Sequence, residues 1–247
     1  MNELSILIKK FKALVYVTVL SITVVSNTYS CSAQTDELAQ KYPIIPTPQV
    51  LSYGNNEIAF ETYNISKSDF KDEENQLITF FTEQGIETSK KGLKIQLIKK
   101  NFSIENLDEA YELSIDSDIK ILASTEKGAY YAIKTLQQIF RKQDKNCFLP
   151  KLEIKDWSAF KIRGFMHDTG RNFQSVEQLK EQIEVLSQYK YNVFHWHLTD
   201  DPGWRLESKL YPQLQSEDAT SRGKGKYYTQ EDFKDIVAFC KARHITV

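Results

Sequence analysis

The residues of this 247-residue chain that are equipped for chemistry gather in two short runs. His167-Asp168-Thr169-Gly170-Arg171 closes one apolar stretch, and His195-Trp196-His197-Leu198-Thr199-Asp200-Asp201-Pro202-Gly203-Trp204-Arg205 closes another. Arg171 carries five N–H donors in a rigid fork, which suits a pair of adjacent hydroxyls or a carboxylate. Asp200 offers acceptors able to orient a histidine or a sugar hydroxyl. Two readings of Arg171 stay open at this level: a ligand-binding fork, or a structural ion pair with Asp168 or Asp200. His195 and His197 stand two apart, so on a strand they project to one side, and that spacing also serves hydrolases that hold a divalent metal. The third ligand would have to be Asp200 or Asp201, and two histidines satisfied by hydrogen bonds are an equally good reading. Trp204 is either a stacking face for a sugar or ordinary packing. Gly223-Lys224-Gly225 lacks the further glycine and the preceding strand of a phosphate loop and is set aside.

These side chains need elements to hold them, and from Lys161 the pattern reads strand, helix, strand, helix, strand, the signature of parallel βα units. The first strand is expected over Ile162 to Asp168. Ser175 with Gln178 three places on forms a capping box for a helix whose buried stripe is Val176, Leu179, Ile183 and Leu186, ending near Tyr189. A second strand is expected over Tyr191 to Leu198. Thr229 then opens a helix with Phe233, Ile236, Val237 and Cys240 on its apolar face, and His244 leads into a third strand, Ile245-Thr246-Val247. In such folds the functional groups cluster at the C-terminal ends of the strands, which is where both polar runs fall. Three strands and two crossover helices occupy about 87 residues, whereas an eight-unit barrel takes about 250. The expectation is therefore an incomplete TIM (β/α)8 barrel belonging to a longer protein.

Upstream, between Tyr42 and Asp156, the rhythm differs. Leu93-Lys94-Ile95-Gln96-Leu97-Ile98 and Tyr111-Glu112-Leu113-Ser114-Ile115 alternate with period two and read as half-buried strands. Leu77, Phe80 and Phe81 mark one helix, and Ala129, Ala132, Ile133, Leu136 and Phe140 another. Tyr53-Gly54-Asn55-Asn56 reads as a turn between strands. The fold class is thus α/β, with a small α/β domain over 42–156 followed by the barrel units over 160–247. At the start, Lys9, Lys10 and Lys12 precede an apolar run from Ala13 to Val25, with Ser30, Ser32 and Ala33 after it, so residues 1–33 read as an export signal. The run falls short of the roughly 20 residues a bilayer crossing needs. Cys31 follows a small residue and resembles a lipoprotein acylation site, so a lipid anchor through Cys31 and plain signal cleavage stand as equal readings. Either way the protein is expected outside the cytoplasm: periplasmic, an outer-membrane lipoprotein, or extracellular.

Composition excludes several classes. Lys and Arg total 32 against 33 Asp and Glu, a net charge of -1, which leaves no basic surplus for nucleic acid. The three Cys lack the paired spacing of a zinc set or disulfide framework.

Taken together, the run from Arg163 to Arg171, the run from Lys190 to Asp201 and Trp204-Arg205-Leu206-Glu207 resemble the opening of family 20 glycoside hydrolases, the β-N-acetylhexosaminidases. Ile45-Pro46-Thr47-Pro48-Gln49, Glu109-Ala110-Tyr111-Glu112-Leu113 and Glu126-Lys127-Gly128-Ala129-Tyr130-Tyr131-Ala132 are similar to that family's small N-terminal α/β domain. One departure is His167, where many members carry an aliphatic residue. The resemblance implies an exo-acting enzyme that needs no metal or cofactor and acts on glycans or oligosaccharides ending in N-acetylhexosamine. It implies substrate-assisted retaining catalysis, in which the 2-acetamido oxygen attacks the anomeric carbon while a Glu serves as acid and base and a neighbouring Asp steadies the acetamido group. It places Arg171 on the hydroxyls of the terminal sugar and Asp200 behind a histidine that touches the acid, with Asp168, His197 and Asp201 supporting them. In the family pattern the Asp-Glu pair and that histidine fall beyond Val247, so this chain by itself is expected to be inactive. The competing functions are a metal-dependent barrel hydrolase using His195 and His197, and a glycan-binding surface module without chemistry.

Overall fold

The structure, a computed structural model, describes residues 37–103 and 107–247. The expected export signal and Cys31 lie outside the described residues. The alternating segments of the first half become strands β1 (Val50–Phe60), β2 (Thr62–Ser68), β3 (Glu87–Thr88), β4 (Leu93–Lys99), β5 (Tyr111–Ile115), β6 (Ile119–Ala123), β7 (Arg141–Gln143) and β8 (Asn146–Asp156). They form one eight-stranded sheet in the order β1-β8-β5-β6-β4-β2-β3, with β7 also on β8. The period-two pattern sends Ile95 and Leu97 of β4, with Leu113 and Ile115 of β5, into the core while their neighbours stay partly exposed. Two helices join that core, α1 (Lys71–Glu83) through Leu77 and Phe81 and α2 (Glu126–Ile139) through Ala129, Ala132, Ile133 and Leu136. Each fully buried Leu, Ile or Phe contributes roughly 1.5–3 kcal/mol, so this cluster is the main source of stability in the first half.

Tyr53-Gly54-Asn55-Asn56 is not a turn between strands. It lies inside β1, where the pairing with β8 jumps from Tyr53 opposite Leu152 to Glu57 opposite Pro150. Three residues, Gly54 to Asn56, stand there against the single residue Lys151, so they bulge out of the ladder and the strand continues past them.

The second half carries β9 (Gly164–Asp168), α3 (Val176–Gln188), β10 (Val193–His197), the short hairpin β11 (Thr199–Asp200) and β12 (Gly203–Trp204), and α4 (Gln230–Lys241). β9 and β10 pair in parallel, with Gly164 opposite Val193 and Asp168 opposite His197. Thr246 bridges Val193 in the same sense, its carbonyl accepting from the Phe194 N–H at 2.8 Å, which begins a third parallel segment. Both expected capping boxes form, Ser175 with Gln178 on α3 and Thr229 with Asp232 on α4. Leu179 and Ile183 of α3, Phe194 and Trp196 of β10, Ile236 and Cys240 of α4, and Ile245 share one core. These are the opening βα units of a barrel, and among the described residues β9 is paired on one side only. The strands are shorter than expected. Ile162 is 73% exposed, and Lys190 turns the chain with a left-handed φ of 61° before Val193. Val237 also departs from its expected burial, because the stripe of α4 runs through Phe233, Ile236 and Cys240 and leaves Val237 more than a third exposed.

A buried polar junction fastens the two halves. Lys190 Nζ lies 2.8 Å from Asp156 Oδ2 and 2.9 Å from the Tyr111 hydroxyl, which itself donates to Asp156 at 2.9 Å. Burial lowers the Lys190 pKa and raises that of Tyr111 well above its usual value. Beside them Arg163 Nη2 meets Glu109 Oε2 at 2.8 Å, and the Asn192 side chain accepts from the Arg163 N–H at 2.8 Å. Asn192 thereby sets the register of β9 on β10 at their N-terminal ends. Among the described residues, no helix is long and apolar enough to cross a membrane.

Candidate active site

Parallel pairing brings Asp168 and His197 level at the C-terminal ends of β9 and β10. Beyond them the chain is held tightly. The N–H groups of Thr169 and Gly170 both donate to the His197 carbonyl at 3.0 Å, and the Trp196 indole donates to the Thr169 hydroxyl at 3.0 Å. Trp196 stacks on Phe233 with ring planes 8° apart, and Tyr228 stacks on Phe173, so the loops rest on an aromatic bed. The two-residue turn Asp201-Pro202 folds β11 back on β12 and returns Asp200 toward the end of β9.

Arg171 lies where these ends meet. Its Nη1 is 2.6 Å from Asp168 Oδ2 and its Nη2 is 2.7 Å from Asp200 Oδ2, while its backbone N–H donates to Asp168 Oδ1 at 2.9 Å. The fork therefore spans both carboxylates, and the side chain is still 52% exposed. With two acids on its terminal nitrogens, the guanidinium leaves its remaining donors at the open surface. Asp200 also takes His197 Nε2 at 3.1 Å on Oδ2 and the Asp201 N–H at 2.7 Å on Oδ1. Within the described residues, the histidine that Asp200 holds is thus His197. Gly170 permits this convergence, since a Cβ there would lie 3.2 Å from Asp200 Cβ and 3.3 Å from Asp168 Oδ1.

The electrostatics follow from these contacts. The Arg171 backbone N–H, then its guanidinium, lower the Asp168 pKa, and the His197 and Asp201 hydrogen bonds lower that of Asp200. The Asp168 hydrogen bond in turn raises the Arg171 pKa. Both acids are therefore carboxylates at neutral pH, and their stabilising contribution is lost only as pH falls through the lowered values. His167 is half-buried between Phe165 and Phe194, and burial lowers its pKa, so a neutral imidazole takes the place of an aliphatic residue in that packing.

The other singled-out residues fall apart from this centre. The Asp201 side chain is exposed, and its contribution to the centre is the backbone N–H given to Asp200. His195 is exposed, with its ring centroid 6.4 Å from that of His197. Among the described residues, the ligand atoms close enough to share an ion, within 4.8 Å of one another, belong to Asp168, His197 and Asp200. Arg171 already supplies a cation to both carboxylates, so a divalent ion would have to displace the guanidinium, and this donor set does not fit the H-x-H scheme. Trp204 is 40% exposed, with its indole N–H donating to the Leu206 carbonyl at 2.6 Å.

Arg205 is the residue that sequence reasoning missed. It is fully buried and meets no carboxylate among the described residues. Instead its guanidinium donates to the carbonyls of Thr169 and Gly170 at 3.2–3.3 Å, of Arg222 at 2.6 Å, of Gly223 at 3.1 Å and of Lys226 at 2.9 Å. It ties the segment just before Arg171 to the loop over 222–226. Gly203 makes room for it, since a Cβ there would stand 2.7 Å from Arg205 Cζ. The Trp204-Arg205 pair in the second run was the available signal, but only folding shows which carbonyls converge on it.

Comparison with known proteins gives a consistent result. Residues 160–247 match glycosyl hydrolase family 20, catalytic domain, and residues 41–157 match glycosyl hydrolase family 20, domain 2. Beta-hexosaminidase of Vibrio furnissii is 41% identical over 157 residues, 57% of this chain and 26% of that protein. Beta-hexosaminidase of Porphyromonas gingivalis is 39% identical over 153 residues, 57% of this chain and 20% of that protein. The chain thus spans about a quarter or less of the curated relatives it matches. Among solved structures, the GH20 exo beta-N-acetylglucosaminidase from Vibrio harveyi in complex with N-acetylglucosamine superposes with a TM-score of 0.72 at 31% identity, covering 83% of this chain and 35% of that one. The beta-N-acetylhexosaminidase from Bacteroides fragilis gives 0.70 at 29% identity, covering 83% and 44%.

Proposed function

This chain belongs to glycosyl hydrolase family 20, and on that premise we propose that the whole protein is an exo-acting hydrolase removing terminal β-linked N-acetylhexosamine from glycans or oligosaccharides. The reaction is retaining and substrate-assisted: the acetamido oxygen displaces the leaving group at the anomeric carbon, and water then opens the resulting oxazolinium. The observation that carries this reading is the Arg171 fork, fixed by Asp168 and Asp200 at the strand ends and half open to solvent. Arg171 binds hydroxyls of the terminal sugar. Asp168 and Asp200 aim it, and Asp200 with His197 supports the adjoining catalytic groups.

Neither carboxyl of the cluster suits the role of general acid. A general acid needs a pKa raised toward the working pH, whereas both carboxyls of the cluster are lowered. By the family resemblance, the acid is supplied by the rest of the protein. The whole protein is expected to release nitrophenol from a chromogenic N-acetylglucosaminide, and the 247-residue chain alone to release none. Turnover by the chain above that of its Arg171→Ala variant would contradict this division of roles.

Export is part of the proposal. The basic start and short apolar run within residues 1–33 support it, with removal near Ser32 or acylation of Cys31 as the two ways of processing. Mass spectrometry of the protein recovered from its own cells decides between them, and a retained Met1 in the cytoplasmic fraction contradicts both.

A further inference from the structure

A second polar concavity lies away from the strand-end site. It is a cleft of about 740 Å³ between α1 and α2 of the first half and the C-terminal part of α3 with Ala242 and Arg243 of the second. That size falls within the roughly 300–1,000 Å³ of small-molecule sites. Because α3 runs back from the site end of β9 to the start of β10, Glu184 and Gln188 lie toward the strands' N-terminal ends. The cleft and Arg171 are thus at opposite ends of the barrel strands.

Its walls have an unusual composition. The side-chain amides of Asn75, Gln84, Gln137 and Gln188 line it and make no hydrogen bond to the described residues. Each offers both donors and an acceptor. The charges, in contrast, are already matched. Lys134 Nζ lies 3.2 Å from Glu184 Oε1, and Arg243 Nε lies 2.6 Å from Glu184 Oε2, with Glu83 as the second acid on the wall. Lys134 is buried and already paired, so the cation on the floor is not free for a ligand. The apolar contribution comes from the partly exposed Phe80, since Tyr130 lies beneath the wall and is fully buried. With two cations set against two anions there is no surplus to attract an ion. Unpaired amides beside the Phe80 ring suit a neutral ligand whose hydroxyls and acetamido groups both donate and accept and whose C–H faces are apolar.

We propose that this cleft is a second glycan-binding site, which holds an uncharged oligosaccharide by the amides of Asn75, Gln84, Gln137 and Gln188 at a distance from the reacting sugar. The choice of an N-acetylhexosamine chain as ligand rests on the function proposed above. Such a site tethers the whole protein to a polymer while its ends are trimmed at the strand-end site, raising the local concentration of chain ends.

The test separates the two sites. Triacetylchitotriose is titrated by calorimetry into the 247-residue chain carrying Arg171→Ala, and then into the same chain also carrying Gln84→Ala and Gln137→Ala. Binding is expected to persist in the first and to weaken at least tenfold in the second, with equal melting temperatures because both glutamines are partly exposed and make no bonds to lose. It is also expected to be unchanged between low and high salt, as a neutral ligand requires. Binding that disappears with Arg171→Ala, that ignores the glutamine pair, that falls steeply with salt or that is absent throughout overturns the cleft site. None of these results bears on hexosaminidase turnover by the whole protein, which is measured separately.

Discussion

Arg171→Lys in the whole protein is expected to lower kcat/KM for an N-acetylhexosaminide by about 10- to 100-fold while leaving the melting temperature unchanged. Lysine keeps the charge but is a single point of donors, whereas Arg171 reaches Asp168 and Asp200 with separate nitrogens and still has donors to spare. A lysine ammonium that satisfies one carboxylate loses the other, and the planar pairing with adjacent hydroxyls goes with it. Stability should not follow, because a half-exposed ion pair at the end of a strand contributes little to folding. The opposite outcome, a lower melting temperature with unaltered efficiency per folded molecule, would make Arg171 a structural ion pair and remove it from the site.

Arg205→Met should do the reverse, lowering stability first. It leaves the carbonyls of Thr169, Gly170, Arg222, Gly223 and Lys226 without their buried donor. An unmet buried acceptor costs about 1–3 kcal/mol, and with partial rehydration a total of about 3 kcal/mol is expected. For a chain of this size that is a fall of roughly 6–12 °C in melting temperature, read by calorimetry or circular dichroism. Gly203→Ala provides the check that Arg205 acts through its place, since the new Cβ would push on the guanidinium while the charge remains. It should lower the melting temperature less than Arg205→Met does. A melting temperature unmoved by either change would mean that the buried cation does not hold the loops.

The contrast between these two arginines shows what the sequence makes legible. Arg171 is visible because it follows a strand-like run by three residues, and its partner Asp200 follows another, so the parallel βα pattern alone brings them to one end. The capping residues Ser175 and Thr229 and the alternation of β4 and β5 are legible for the same reason: each is a local signal with a local physical cause. Arg205 is illegible because its partners, at 169–170 and 222–226, are remote loop carbonyls that carry no residue-type signal. The Lys190, Asp156 and Tyr111 cluster is hidden likewise, its members being joined only when the two halves pack. Tyr53-Gly54-Asn55-Asn56 misleads for a related reason. Its turn-forming composition is local, but the ladder to β8 on either side overrides it.

The central claim is that the sugar's own acetamido group supplies the nucleophile at a site whose clamp is Arg171. The most direct measurement compares two chromogenic substrates on the whole protein, the β-N-acetylglucosaminide and the β-glucoside with a hydroxyl at the same carbon. Cleavage of the first with no detectable cleavage of the second is expected, because the glucoside lacks the oxygen that attacks the anomeric carbon. Comparable kcat values on both would contradict the claim, since the nucleophile would then have to belong to the protein.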